Sequence, residues 1–194
     1  RYKIFIDYEF AFVLYKGDLS KYKIEIGEIE DDIINEIFGE VLPKRALDRS
    51  LKIITGKDLT CGELKKKLEK DLYPEDVIEE TLERLKNERL LNDERYIRLY
   101  IESKSAKKSK RDIMSALYQK DIDLNLAEKI FDELKSDGSL SSEEDLIIKL
   151  LHKRHYDFEN ASFEDTQKQI KYLCSKGFSY DSIHSVLKGG EYSI

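Results

Sequence analysis

The chain is short of almost everything that marks a covalently braced or catalytic protein. Its 194 residues include no tryptophan, one methionine, two prolines and two cysteines, Cys61 and Cys174. Two isolated thiols without a Cys-x-x-Cys pair supply neither a disulfide framework nor a zinc scaffold, and they point to a reducing compartment. No apolar run approaches the roughly 20 residues of a membrane span. No signal peptide is visible either, so a soluble cytoplasmic protein without membrane contact is expected. The sequence starts at Arg1, and a few native residues are expected upstream. Glycine-rich phosphate loops are absent. His152 and His155 lie three apart but have no cysteine or acidic cluster to complete four metal ligands. Cys61 falls in the first turn of a predicted helix, where a thiolate is favoured, yet no histidine is near it in sequence and a structural role is the simpler reading. Neither an enzyme nor a cofactor is expected.

What the chain does have is charge and repetition. Charged residues make up 38% of it against 40% hydrophobic, a balance that suits thin helical layers with much surface per unit of core. The net charge of -6 sits at the N-terminus, where residues 1–42 hold five Lys/Arg against ten Asp/Glu. From Arg45 to Leu187 one helical unit is written three times. Leu68, Leu117 and Leu173 are each followed after five residues by a large apolar residue (Tyr73, Ile122, Phe178), and after nine more by another (Leu82, Phe131, Leu187). A period near 50 residues predicts stacked units whose faces bury one another.

Residues 2–27 read differently. Tyr2, Ile4 and Ile6 alternate, as do Phe10, Phe12 and Leu14, then Tyr22, Ile24 and Ile26, which predicts three short strands ended by Gly27. Ile29, Ile33, Ile37 and Val41 then fall on one helical stripe, and Pro43 predicts a break before the repeats. Within the repeats, Thr60 with Glu63 and Ser141 with Glu144 predict capping boxes, Pro74 suits the first turn of a helix, and Gly189-Gly190 ends the array. The expected fold is mainly α: three tandem three-helix repeats in an elongated array (residues 43–89, 90–138 and 139–194), preceded by a small three-stranded β segment with one helix at 1–42. The leader, with its own alternating pattern, is expected to be separable, so that removing it leaves a soluble helical protein.

Three segments, residues 45–47 with 60–64, residues 91–96 and residues 173–183, resemble the RecX family, regulators of the bacterial recombinase RecA. Leu91-Asn92-Asp93-Glu94-Arg95-Tyr96 is similar to that family's acidic helix start. Leu173-Cys174-Ser175-Lys176-Gly177-Phe178-Ser179, followed by Ile183, resembles its C-terminal Leu-x-x-(Arg/Lys)-Gly-Phe-Ser motif. Arg45-Ala46-Leu47 with Thr60-Cys61-Gly62-Glu63-Leu64 resembles its first-repeat pattern. The Lys-Gly that precedes the middle anchor in the family survives only as Lys176-Gly177; the other repeats have Asp71-Leu72 and Asp121 there. The resemblance implies a non-catalytic regulator of homologous recombination, DNA repair and the SOS response. Such a protein would bind RecA and the RecA–DNA filament and inhibit its ATPase and strand exchange. The net charge of -6 without a polybasic tail adds the expectation that any direct contact to DNA is weak. A monomer is expected.

One concentration of charge is the candidate contact surface. Lys104, Lys107, Lys108, Lys110 and Arg111 join the first two helices of the second repeat, with Lys110 and Arg111 in a first turn where the helix dipole disfavours cations. Arg95 and Arg98 share a face of the preceding helix and are set beside them as partner- or DNA-binding residues. The bland alternatives are a solvated loop and surface ion pairs with Asp93, Glu94 or Glu102. Tyr96, Tyr100, Tyr118, Tyr156 and Tyr172 could stack bases, but most occupy core-facing positions. The competing functional reading is a helical-repeat adaptor that contacts nucleic-acid phosphates directly.

Overall fold

The structure, a computed structural model, describes residues 1–188. Gly189-Gly190, expected to end the last repeat, lie outside them. The chain forms two compact units, Arg1–Asp93 and Glu94–Ile194.

In the first unit, β1 (Tyr2–Ile6) and β2 (Glu9–Leu14) form an antiparallel hairpin. Asp7 and Tyr8 make its two-residue turn, both at positive φ (50° and 68°), the combination that matches the twist of the strands. The expected third strand does not form. Residues Lys16–Lys21 instead make a short helix, α1, whose start is held by the Asp18 carboxylate accepting the Tyr15 N–H at 2.8 Å. Tyr22 is buried behind it, Lys23 turns into the left-handed region (φ 52°), and Ile26 is fully exposed. The Tyr22/Ile24 alternation is thus used by a helix end, where the Ile24 N–H reaches back to the Leu19 carbonyl at 2.9 Å. Gly27 accordingly lies in a loop and ends no strand.

Nor does Pro43 break the chain. Helix α2 (Asp31–Glu36) runs through a π turn at Ile37–Val41 into α3 (Leu42–Ile54). The Leu42 N–H reaches the Ile37 carbonyl, five residues back. A proline in a regular helix lacks the N–H its turn requires and its ring collides with the carbonyl four residues before; the widened turn absorbs both. The leader is also not a separate body. Phe12, Leu14, Tyr22 and Ile37 share one core with Leu42, Ala46 and Val77 of the first repeat. Asp18 and Arg45 form an ion pair across the same junction.

Helices α4 (Cys61–Lys70) and α5 (Glu75–Asn87) complete the first repeat around Leu64, Leu68, Ile78, Leu82 and Leu85. Thr60 caps α4, accepting the Glu63 N–H at 3.1 Å while the Glu63 carboxylate accepts the Thr60 N–H at 3.2 Å. Pro74 stands at the N-cap of α5, just before its first turn.

The second unit holds α6 (Asp93–Ser105), α7 (Lys110–Tyr118) and α8 (Leu124–Ser136), then α9 (Glu143–Lys153), α10 (Phe163–Ser175) and α11 (Tyr180–Lys188). Each trio has its own core, Ile97, Ile101, Ile113 and Leu117 in one and Ile147, Leu151, Leu173 and Ile183 in the other. The cap of α9 is Ser142, accepting from the Asp145 N–H at 3.0 Å, one residue beyond the expected Ser141. Glu144 is then free to accept from the Ser182 hydroxyl at 3.0 Å.

The three anchors are equivalent in detail. Leu68, Leu117 and Leu173 are all 0% exposed. In each case the N–H five residues on (Tyr73, Ile122, Phe178) returns to the anchor's carbonyl at 3.2 Å. The residue before it takes positive φ: Leu72 at 67°, Asp121 at 57°, Gly177 at 85°. This closure of a helix end by a left-handed residue satisfies carbonyls that the helix itself leaves unpaired. In the first repeat the left-handed residue is Leu72, at the position that Gly177 holds directly before the middle anchor, and Asp71 is not used for it.

Candidate functional site

The cation cluster begins where α6 ends. The Lys107 and Lys108 N–H groups both donate to the Lys104 carbonyl, at 2.9 and 3.0 Å, which turns the chain toward α7. Ser109 opens that helix. Its hydroxyl oxygen accepts the Asp112 N–H at 3.3 Å and the same hydroxyl donates to the Lys176 carbonyl, at the end of α10, at 2.8 Å. One buried hydroxyl therefore serves a donor-rich helix start and an acceptor-rich helix end together. Beside it the Arg111 guanidinium donates to the Cys174 carbonyl at 3.2 Å. Gly177 is pressed into this joint: a Cβ there would lie 2.5 Å from Ser109 Oγ and 2.9 Å from Arg111 Nε.

The proposed contact residues separate into two groups on this geometry. Arg111 and Lys110 are engaged within the chain, Lys110 with Asp132 at 3.1 Å and with its Nζ 5.0 Å from the centre of the Phe131 ring. Arg98 pairs with Glu133 of α8 at 2.9 Å, a partner that proximity in sequence does not suggest. Arg95 is exposed on the same helix, and Lys104 Nζ sits 6.0 Å from the Tyr100 ring. Lys107 and Lys108 are exposed, with no acidic partner among the described residues.

Next to the cluster lies a feature the sequence does not announce, a groove of about 880 Å³ within the second unit. Lys108, Lys110, Arg111 and Lys135 stand around it, and Met114, Tyr118, Leu124, Phe131, Leu140 and Phe178 give it an apolar lining. Tyr118 is 67% exposed and Leu124 37%. The signal that could have found Tyr118 was its place one residue after the anchor Leu117, which turns it about 100° off the core stripe. The other tyrosines are used internally. Tyr96 and Tyr100 stack at 6.1 Å, Tyr156 meets Phe158 edge-on, and Arg154 lies 4.0 Å over Tyr172.

The remaining reactive side chains are occupied structurally. Burial, and after it the nearby Asp93 charge, pushes the Cys61 thiol up to about 12, while the Cys61 N–H donates to Asp93 at 2.8 Å. This environment outweighs the thiolate-favouring helix start. His152 lies against the Phe158 ring, 5.4 Å between centres. No group of three or more His, Cys, Asp or Glu able to hold a metal occurs among the described residues. No helix there is long and apolar enough to cross a membrane.

Comparison with known proteins accounts for this repeat plan. Residues 46–85 match the family model described as RecX, first three-helix domain, and residues 142–187 match RecX, third three-helix domain. A Regulatory protein RecX from Finegoldia magna is 30% identical over 190 residues, covering 93% of this chain and 89% of that protein. One from Clostridium perfringens is 28% identical over 196 residues, 97% of this chain and 89% of its own length. The crystal structure of RecX from Lactobacillus salivarius shares the fold, with a TM-score of 0.65 at 24% identity over 78% of this chain and 98% of that one. Repeats with equivalent anchors, matched at both ends by domain models of one family and across nearly their whole length by its members, place the chain in the RecX family of regulatory proteins.

Proposed function

We propose that this protein is a non-catalytic regulator of homologous recombination and DNA repair, which binds RecA and the RecA–DNA filament as a monomer and inhibits ATP hydrolysis and strand exchange. The observation that carries the surface assignment is the unequal use of the cation cluster. Ser109 and Arg111 fix the segment to the end of α10, and Lys107 and Lys108 project from it uncompensated. Charges presented from an anchored segment lose little further freedom on binding. In a chain of net charge -6 they are a local exception. Several repeats with separate cores can also touch more than one site of a polymeric partner and gain avidity from weak contacts.

The test is co-sedimentation of the full chain with RecA filaments on single-stranded DNA, beside naked DNA, with RecA ATPase followed in parallel. The parent should sediment with filaments and lower their ATPase. The Lys107→Ala/Lys108→Ala variant should bind filaments more weakly while keeping its helical circular dichroism, because neither side chain braces the fold. Retained inhibition by that variant would remove the two lysines from the functional surface. If they contact only phosphates of single-stranded DNA, two contacts give a salt slope of about -1.4, so a fourfold rise in salt weakens binding about sevenfold. Tight, steeply salt-dependent binding to DNA without RecA would favour the phosphate-binding adaptor instead.

A further inference from the structure

We infer that the groove of the second unit receives a short acidic segment carrying large apolar side chains, supplied by the protein partner; this rests on the regulatory reading above and specifies one contact of it. The volume, about 880 Å³, lies in the range of pockets that enclose a ligand, roughly 300–1,000 Å³. The lining dictates the chemistry of the occupant. Met114, Leu124, Leu140 and Phe178 offer aliphatic and aromatic surface, and Tyr118 lies 67% exposed at its side although it follows a fully buried anchor. Apolar surface of this kind gains by covering other apolar groups and contributes nothing to a phosphate chain.

Charge selects the sign. Lys108, Lys110, Arg111 and Lys135 line the groove with two carboxylates, Glu128 and Glu143; with Lys110 paired to Asp132, three cations still face those two. Glu143 is already engaged, accepting from the Ser179 hydroxyl at 2.9 Å, whereas Lys108 and Lys135 are exposed. Acidic side chains flanking the apolar ones would meet Lys108 and Lys135, and the two carboxylates in the lining disfavour a continuous phosphate backbone. An alternation of acidic and apolar residues satisfies both demands; a nucleic acid satisfies only one. The groove is also built to keep its shape, since the Ser109, Arg111 and Gly177 contacts fix one of its walls.

The experiment uses the full chain and RecA filaments on single-stranded DNA as the probe, with a photoreactive benzophenone side chain placed at the exposed groove position Ser115. Crosslinks should map to a stretch of RecA that combines Asp or Glu with Leu, Ile or Phe. Two groove variants, Lys108→Glu/Lys135→Glu and Tyr118→Ala/Leu124→Ala, should each lose about tenfold or more in filament affinity, the scale of an interface hot spot. Tyr8→Ala, at the fully exposed tip of the hairpin in the other unit, should bind as the parent does. Crosslinks to DNA or to a second copy of this chain would overturn the inference, as would parent-like affinity of both groove variants. Those results leave the regulatory reading standing, since the parent still binds; failure of the parent to bind filaments at all removes both.

Discussion

The first and third repeats close the turn between their second and third helices with the same 3.2 Å bond, yet they reach it with opposite residues, Leu72 in one and Gly177 in the other. The left-handed backbone is therefore required by the repeat, and glycine is not. A side chain at positive φ costs roughly 1–2 kcal/mol, which a well-packed repeat can carry. Glycine is needed only where something else occupies the space. At Gly177 that something is the start of α7, with Ser109 and Arg111 within reach of any Cβ. The repeats differ again in what braces them, for the first shares a core with the leader and is tied to it by Asp18 and Arg45.

The strongest way to break the equivalence is to remove an anchor. Leu117→Ala, at a fully buried site, should cost about 2–5 kcal/mol, read as a fall in the urea midpoint. A parent-like midpoint would show that the second repeat is not built like the others. Gly177→Ala comes next, at about 2–4 kcal/mol, because backbone strain and overpacking combine. In a Ser109→Ala background the increment should shrink, since the nearest clashing atom has gone; an unchanged increment would assign the whole effect to φ.

The brace on the first repeat is tested by pH. The Arg45 guanidinium, with the Tyr15 N–H assisting, holds the Asp18 carboxyl below the usual aspartate range. A carboxyl more acidic in the folded state adds stability above its unfolded value, and that contribution disappears as pH falls through the folded value. Asp18→Asn should therefore cost about 1–2 kcal/mol at neutral pH and converge on the parent in acid, once the pH has fallen through the lowered folded-state value of Asp18. A constant difference between the two pH values would show that the ion pair contributes little. The smallest effect should be a gain: Asp121→Gly at the exposed second-repeat turn should stabilise by about 0.5–1 kcal/mol, seen as a rise in Tm.

The anchors were legible in sequence because spacing alone fixes which residues of a repeated helix face its core. Leu68, Leu117 and Leu173 needed no knowledge of their neighbours. The third strand was not distinguishable in sequence because Tyr22 and Ile24 alternate equally well across a strand and across a helix-terminating turn; only the Asp18 cap at the other end of α1 decides between them. Pro43 was misread because a π turn is invisible to periodicity. At the candidate surface, composition located the cations but could not sort them. Asp132, Glu133 and the carbonyl of Cys174 are far away in sequence, and they determine which basic groups are occupied. The groove was hidden for the same reason, since its lining is drawn from several helices.

The π turn at Ile37–Val41 has a geometric effect on everything that precedes it. Along a regular helix Ile33 and Leu42 would point about 180° apart, nine residues at about 100° each; absorbing one residue in a wider turn reduces that to about 80°. Ile33 and Leu42 consequently contribute to the same core although the plain helical wheel sets them on opposite sides. The segment acts as a rotational adapter, letting two stretches of helix with differently phased apolar stripes fill one interior without a loop between them.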